Sequence, residues 1–163
     1  MTLSPSLPLE TMYLTHRCAT INDLSYIVAL LSEDELGQTR ESFSTDQVDQ
    51  RYVDAFDQIN SDPNQYLMVV EQNNQIVGTC HLTIMPSLTF KGSTRLQLEA
   101  IRVSLSHRGQ GVGEWMITQA IAYGRFKGAS IIQLTTNKDR TRAKQFYERL
   151  KFKATHEGMK LYL

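Results

Sequence analysis

The sequence predicts an α/β fold with a mixed central sheet flanked by helices, its elements in the order β-α-α-β-β-β-α-β-α-β. Three observations predict it. Strand-like apolar runs are interleaved with segments whose apolar residues recur at i, i+3, i+4, i+7. Two of the runs meet at Asn73-Asn74, a pair suited to a hairpin because Asn accepts positive φ. A later run, rich in strand formers, leads into three glycines within five residues and then into a helical face.

Met12 to Cys18 reads as the first strand. Leu24, Ile27, Val28 and Leu31 mark one face of a helix capped near Asn22 or Asp23. From Glu33 to Phe43 the chain is polar and acidic. Ser44-Thr45-Asp46-Gln47 then offers a capping box for a second helix bearing Val48, Tyr52, Phe56 and Ile59. That helix stops before Asp62-Pro63, since a residue ahead of proline is pushed out of the helical region. Strands follow at Tyr66–Glu71 and Gln75–Ile84, then a loop from Pro86 to Ser93 and a strand from Thr94 to Val103. Val112 to Lys127 is a helix, Ser130 to Thr135 an apolar strand, and Asp139 to Leu150 a helix. Lys153 to Leu163 is expected as a last strand, or a hairpin pivoting on Glu157-Gly158.

The 163 residues are most economically one domain, 11–163, behind a flexible Pro/Ser-containing tail, 1–10. A chain of this length buries about two-thirds of its unfolded surface. Seventeen basic residues balance seventeen acidic ones, so no global field draws in nucleic acid or an anionic membrane. No apolar run is long enough to span a bilayer, and the first ten residues lack the basic start of a signal peptide. Cys18 and Cys80 have no metal-ligand spacing and read as reduced, buried thiols of a cytoplasmic protein; no metal is expected.

The most informative stretch is His107-Arg108-Gly109-Gln110-Gly111-Val112-Gly113, at a strand-to-helix junction. Missing Cβ atoms let successive N–H groups turn toward an anion, and the helix start adds unpaired N–H groups and the positive end of its dipole. Such a nest suits a phosphate or pyrophosphate. A Walker A loop would need Lys and then Ser or Thr after its last glycine, where Glu114 and Trp115 stand. The dinucleotide fingerprint would need G-x-G-x-x-G near the chain start; here the spacing is G-x-G-x-G, two-thirds of the way along.

Arg108, Gly111 and Gly113 fill the pattern Gln/Arg-x-x-Gly-x-Gly/Ala, which resembles the acyl-CoA loop of the GNAT superfamily of N-acyltransferases. One helix and one strand later, Ala143-Lys144-Gln145-Phe146-Tyr147-Glu148-Arg149-Leu150-Lys151-Phe152 is similar to the family's second hallmark, a helix ending in an aromatic pair. The resemblance plainly covers Glu99 to Phe152 and extends more weakly from about Met12 to Leu163. It implies acetyl-CoA as co-substrate and a small-molecule or peptide amine as acceptor, and it leaves room for a homodimer. It also implies that the Ile101-Arg102-Val103 backbone pairs with the pantetheine arm. Arg108, Gly109, Gln110, Gly111, Val112 and Gly113 would then cradle the pyrophosphate.

Two residues are candidates for proton transfer. A lysine-like amine has a pKa of about 10.4 and must lose a proton before it attacks a thioester, which calls for a nearby base. Glu99, inside an apolar strand and by period two on one face with Ile101 and Val103, is that candidate; the bland alternative is an ion pair with Arg95 or Arg102, or a position at the rim. Tyr147 lies on the helical face Ala143, Phe146, Tyr147, Leu150, so by spacing alone it is core; by resemblance it protonates the departing thiolate. The family often has an Asn seven residues before this tyrosine, where Arg140 stands here, a candidate cofactor contact of different chemistry. None of the four histidines is assigned a role. The acidic Ser32-Glu33-Asp34-Glu35 suits either a cationic amine or a solvated helix end. Two other classes stand beside the acetyltransferase: a CoA-binding sensor or regulatory domain without turnover, and a nucleotide-binding module using the same nest.

Overall fold

The computed structural model describes residues 13–44 and 47–163. The N-terminal tail expected at 1–10 lies outside them. Five strands form one sheet whose spatial order follows the chain: β1 (Leu14–Cys18), β2 (Gln65–Gln72), β3 (Gln75–Pro86), β4 (Thr94–Val103) and β5 (Ala129–Leu134). The first four pair antiparallel, and β5 joins β4 in parallel. The β2–β3 hairpin turns on Asn73 and Asn74 at φ 51° and 61°, as their tolerance of that region predicts. Between β1 and β2 lie α1 (Leu24–Ser32), α2 (Glu35–Arg40) and α3 (Gln50–Ser61). A single turn, α4 (Thr89–Gly92), winds left-handed at Phe90 and Lys91. The β4-to-β5 crossover is α5 (Val112–Phe126), and α6 (Thr141–Arg149) follows β5.

The sheet is covered on both faces. On one, Met68, Val70, Cys80, Leu82, Leu96 and Leu98 pack with Val112, Met116, Ile117 and Ala120 of α5. On the other, Leu67 and Val69 pack with Leu24, Ile27 and Val28 of α1 and Phe56 of α3. Alternate strand residues feed opposite cores, as the period-two pattern requires. The α/β class with a mixed sheet between helices is therefore what this chain adopts.

Several expectations need correction. Lys153 to Leu163 forms no strand: the segment passes Thr135 at the end of β5 without entering a ladder, and Met159, Leu161 and Tyr162 are 94%, 86% and 86% exposed. Its alternation of apolar residues is a real propensity, but a strand exists only when a neighbour accepts its hydrogen bonds. The capping box at Ser44–Gln47 falls partly outside the described residues; α3 begins at Gln50, and Asp49 caps it by accepting from the Arg51 amide at 2.9 Å. The polar, acidic stretch after α1 contains a short helix, α2, because Asp34 accepts from the Gly37 amide at 2.7 Å and closes a helical turn. Cys80 is buried, its thiol pushed up to about 12 by desolvation, whereas Cys18 is exposed; both are free.

One polar network anchors the first helix to the sheet. Arg17 of β1 donates to Asp23 at 2.7 Å and to Glu71 of β2 at 2.8 Å, while Asp23 also accepts from the Thr20 amide at 2.7 Å. The Arg17 hydrogen bonds hold the Asp23 carboxyl at about 2, against the opposing effect of its burial. A depressed carboxyl contributes stability above its unfolded value near 3.8, lost as pH falls toward 2, because the unfolded chain takes the proton first. Asp23→Ala is expected to cost about 2 kcal/mol at neutral pH. It should also flatten the acid limb of the stability curve between about pH 4 and 2, checked by denaturant melts across that range.

Candidate active site

The site begins with an irregularity in β4. His81 of β3 stands opposite Glu99 and Thr79 opposite Arg102, so two steps on β3 span three on β4. The extra residue is accommodated at Ala100, which takes φ 50°. Period two therefore breaks there. Glu99 shares a face with Arg102 and not, as the alternation predicts, with Ile101 and Val103, whose side chains pack toward the α5 core. Glu99 is exposed and makes no ion pair with Arg95 or Arg102. Arg95 donates instead to Thr89 and Gln133.

A second break lies along the other edge of β4. β5 pairs with β4 only from Thr94 to Leu98 and ends at Leu134, so β4 continues from Glu99 to Val103 with that edge open. The glycine loop follows directly. Gly109 and Gly111 take φ 74° and 86°, a region that costs a side chain but not glycine. Gly111 is the N-cap of α5, so the amides of its first turn, Val112, Gly113 and Glu114, have no intrahelical acceptor. Gly113 answers a different need: a Cβ there would come 3.3 Å from the Phe146 ring, so its absence lets α6 approach α5. Gln110 donates to the Ser106 carbonyl at 2.8 Å and Arg108 to the Val103 carbonyl at 2.9 Å, which ties the loop back to the strand end.

Tyr147, on α6, lies edge-on to Phe146 and Phe152, with ring centroids 5.2 and 6.0 Å away. Burial pushes its hydroxyl up to about 12, with Arg102 and Arg140 pulling the other way. It is thus a phenol that keeps its proton throughout the usable pH range. Arg140, at the N-cap of α6, reaches Asp34 with Nη2 at 2.7 Å, and Arg102 Nε lies 3.7 Å from the same carboxylate. Glu33 accepts from the Leu105 amide at 3.0 Å and faces Arg108 at 3.9 Å. The α1–α2 junction therefore reaches over the end of β4 and does not lie in solvent.

Two groups were not singled out by the sequence reading. His81, facing Glu99 across the strand pair and bonded to Gln65 at 2.7 Å, is held below the usual imidazole range by burial, with Glu99 opposing. Only the bulged register could have paired it with Glu99. Asp34 was legible as part of an acidic run, but not as the carboxylate two arginines share.

Comparison with known proteins identifies the class to which this sheet, its open β4 edge and its glycine-capped helix belong. The chain belongs to the acetyltransferase (GNAT) family, whose model matches residues 28–152. It is 31% identical over 93 residues to glucosamine 6-phosphate N-acetyltransferase of Trypanosoma brucei brucei, a match over 57% of this chain and 61% of that protein. Among solved structures it resembles a transcriptional regulator of Bacillus halodurans C-125, with TM-score 0.89 and 40% identity, covering 93% of this chain and all of that one. In fold it also resembles a predicted acetyltransferase from Clostridium acetobutylicum solved with acetyl-CoA, with TM-score 0.69 and 18% identity over 92% and 96% of the two chains. Among the described residues no helix is long and apolar enough to cross a membrane, and no cluster of three metal-ligating side chains occurs.

Proposed function

We propose that this acetyltransferase moves an acetyl group from acetyl-CoA to a primary amine by direct attack in a ternary complex. The observation that carries the reading is the convergence of three features: the open edge of β4, the positive-φ glycine loop capping α5, and the proton-holding Tyr147. Backbone groups of Ile101, Arg102 and Val103 would bind the pantetheine arm as a neighbouring strand. The loop from Arg108 to Gly113, with the α5 amides, would hold the pyrophosphate. Acetyl-CoA supplies the activated thioester.

Glu99 takes a proton from the acceptor amine, directly or through water. As the nitrogen lone pair forms the new C–N bond and the C–S bond breaks, Tyr147 gives its hydroxyl proton to the departing sulfur; the second proton of the attacking nitrogen leaves through water to solvent, which reprotonates Tyr147. A thiolate with a pKa near 8.5 needs only modest acid help. Tyr147→Phe keeps the packing and deletes only that proton, so turnover is expected to fall about tenfold or more with little change in acetyl-CoA affinity. An unchanged rate with lower melting temperature would assign the residue to the core.

A screen of primary amines with acetyl-CoA, read by free thiol, tests the function. Its one rival with support is a CoA-binding regulatory domain, since the Bacillus halodurans protein is described as a transcriptional regulator. Stabilisation by acetyl-CoA without thiol release for any amine would favour that rival. Acceptors in the small-molecule class are favoured by the trypanosomal relative, which is named for glucosamine 6-phosphate.

A further inference from the structure

On the face of β4 that carries Glu99, two guanidinium groups share one carboxylate. Arg140 Nη2 is 2.7 Å from Asp34 Oδ2, within contact distance, whereas Arg102 Nε stops at 3.7 Å, beyond a hydrogen bond. These side chains are not surface arginines: Arg102 is 16% exposed and Arg140 24%, with Asp34 at 23%. Arg102 Nε and Arg140 Nη2 are buried atoms whose hydrogen-bond geometry is unfilled among the described residues. A buried donor without an acceptor is costly, and two cations on one anion leave a surplus positive charge.

The place of this surplus is specific. Arg140 stands at the N-cap of α6, the helix that carries Tyr147 about two turns further on, and Arg102 lies on β4 just past the bulge. Arg102 and Glu99 flank the bulge at Ala100, and their β3 partners, Thr79 and His81, are two residues apart. Two residues of strand rise set about 7 Å between the backbone positions opposite Glu99 and Arg102, whose side chains share a face. The glycine loop, by contrast, lies beyond Val103, and Arg108 there is already bonded to the Val103 carbonyl.

Resting on the acetyltransferase reading, we propose that the acceptor carries an acidic group, a carboxylate or a phosphate, which Arg102 and Arg140 hold while its amine stands at Glu99. Asp34 occupies part of that position in the free protein and gives way, or shares the arginines, when the acid arrives. The acceptor is then a small amine whose acid lies a few bonds from its nitrogen. An amine without an acid would leave the surplus charge uncompensated.

Thiol release with acetyl-CoA and matched pairs, L-alanine against L-alaninamide and glucosamine 6-phosphate against glucosamine, tests this and separates carboxylate from phosphate. A charge-assisted contact predicts about a 10- to 100-fold higher kcat/KM for the acid-bearing member of one pair. Arg140→Gln should erase that preference by raising the acceptor KM, and Arg140→Lys should restore part of it. Equal use of both members by the unaltered protein overturns the proposal, as does an Arg140→Gln defect confined to acetyl-CoA affinity. A second arm needs no turnover: with CoA saturating, inorganic phosphate should raise the melting temperature. Asp34→Asn, which can still cap α2, should strengthen that effect by removing the competing charge. A purely structural Asp34 predicts the opposite sign. Phosphate stabilisation without thiol release from any amine would reject the acetyltransferase reading while keeping the anion site, whereas no phosphate effect rejects the site itself.

Discussion

Gly111→Asp is expected to abolish the stabilisation that acetyl-CoA gives the folded chain. For the unaltered protein, ligand at a hundredfold its dissociation constant should add about 2.7 kcal/mol, with NAD and ATP adding little. Gly111 takes φ 86° at the cap of α5. Aspartate tolerates that region better than most residues, so the fold should survive with a loss of about 1 kcal/mol. Its carboxylate, however, would stand at the helix start, where it can satisfy the first-turn amides itself and repel a second anion. The expected result is a protein that melts near the normal temperature and no longer responds to acetyl-CoA. Equal stabilisation of both proteins would show that the anion is held elsewhere.

Glu99→Gln is expected to reduce turnover about 100-fold near neutral pH, the lower part of the range for lost proton transfer. The substitution keeps size and polarity but cannot accept a proton. Because the free-amine fraction rises with pH, the ratio of normal to variant rates should shrink steadily from pH 6 to 9.5. Glu99 is exposed and has no ion pair among the described residues, so melting temperatures should nearly coincide. The same change has a spectroscopic signature at His81, whose pKa lies below the ordinary value because burial outweighs Glu99. Removing the Glu99 charge should lower it further, visible in an NMR titration of the imidazole. A rate ratio that does not vary with pH contradicts the base assignment. Tyr147, held near 12, should impose no alkaline downturn below pH 10 in either protein.

Much of the fold could be read locally because the deciding interactions are local. Asn73-Asn74, the helical face of α1 and the glycines before α5 act within a few residues of themselves, and each formed where expected. The errors have non-local causes. In Leu98 to Val103 the charged residues Glu99 and Arg102 stand three apart, so strict alternation is already broken, but the position that absorbs the shift, Ala100, is set by pairing with β3. Met159, Leu161 and Leu163 alternate as a strand would, yet no neighbouring strand accepts them. Within the candidate site, Tyr147 and the loop follow from motif order. The sharing of Asp34 by Arg102 and Arg140 joins three elements remote in sequence, which no spacing rule anticipates.

The open stretch of β4 has a consequence for exchange kinetics. From Glu99 to Val103 the strand is bonded to β3 on one side and has lost β5 on the other. Amides on that outer side lack the protection of a strand interior, so deuterium should enter them quickly in the free protein. Neighbouring amides from Thr94 to Leu98, held on both sides, should exchange orders of magnitude more slowly. Strand-like docking of the pantetheine arm would convert the fast group into a slow one while leaving the rest of β4 unchanged. A cofactor-dependent slowing confined to these few amides would thus time the arrival of the ligand as a temporary sixth strand.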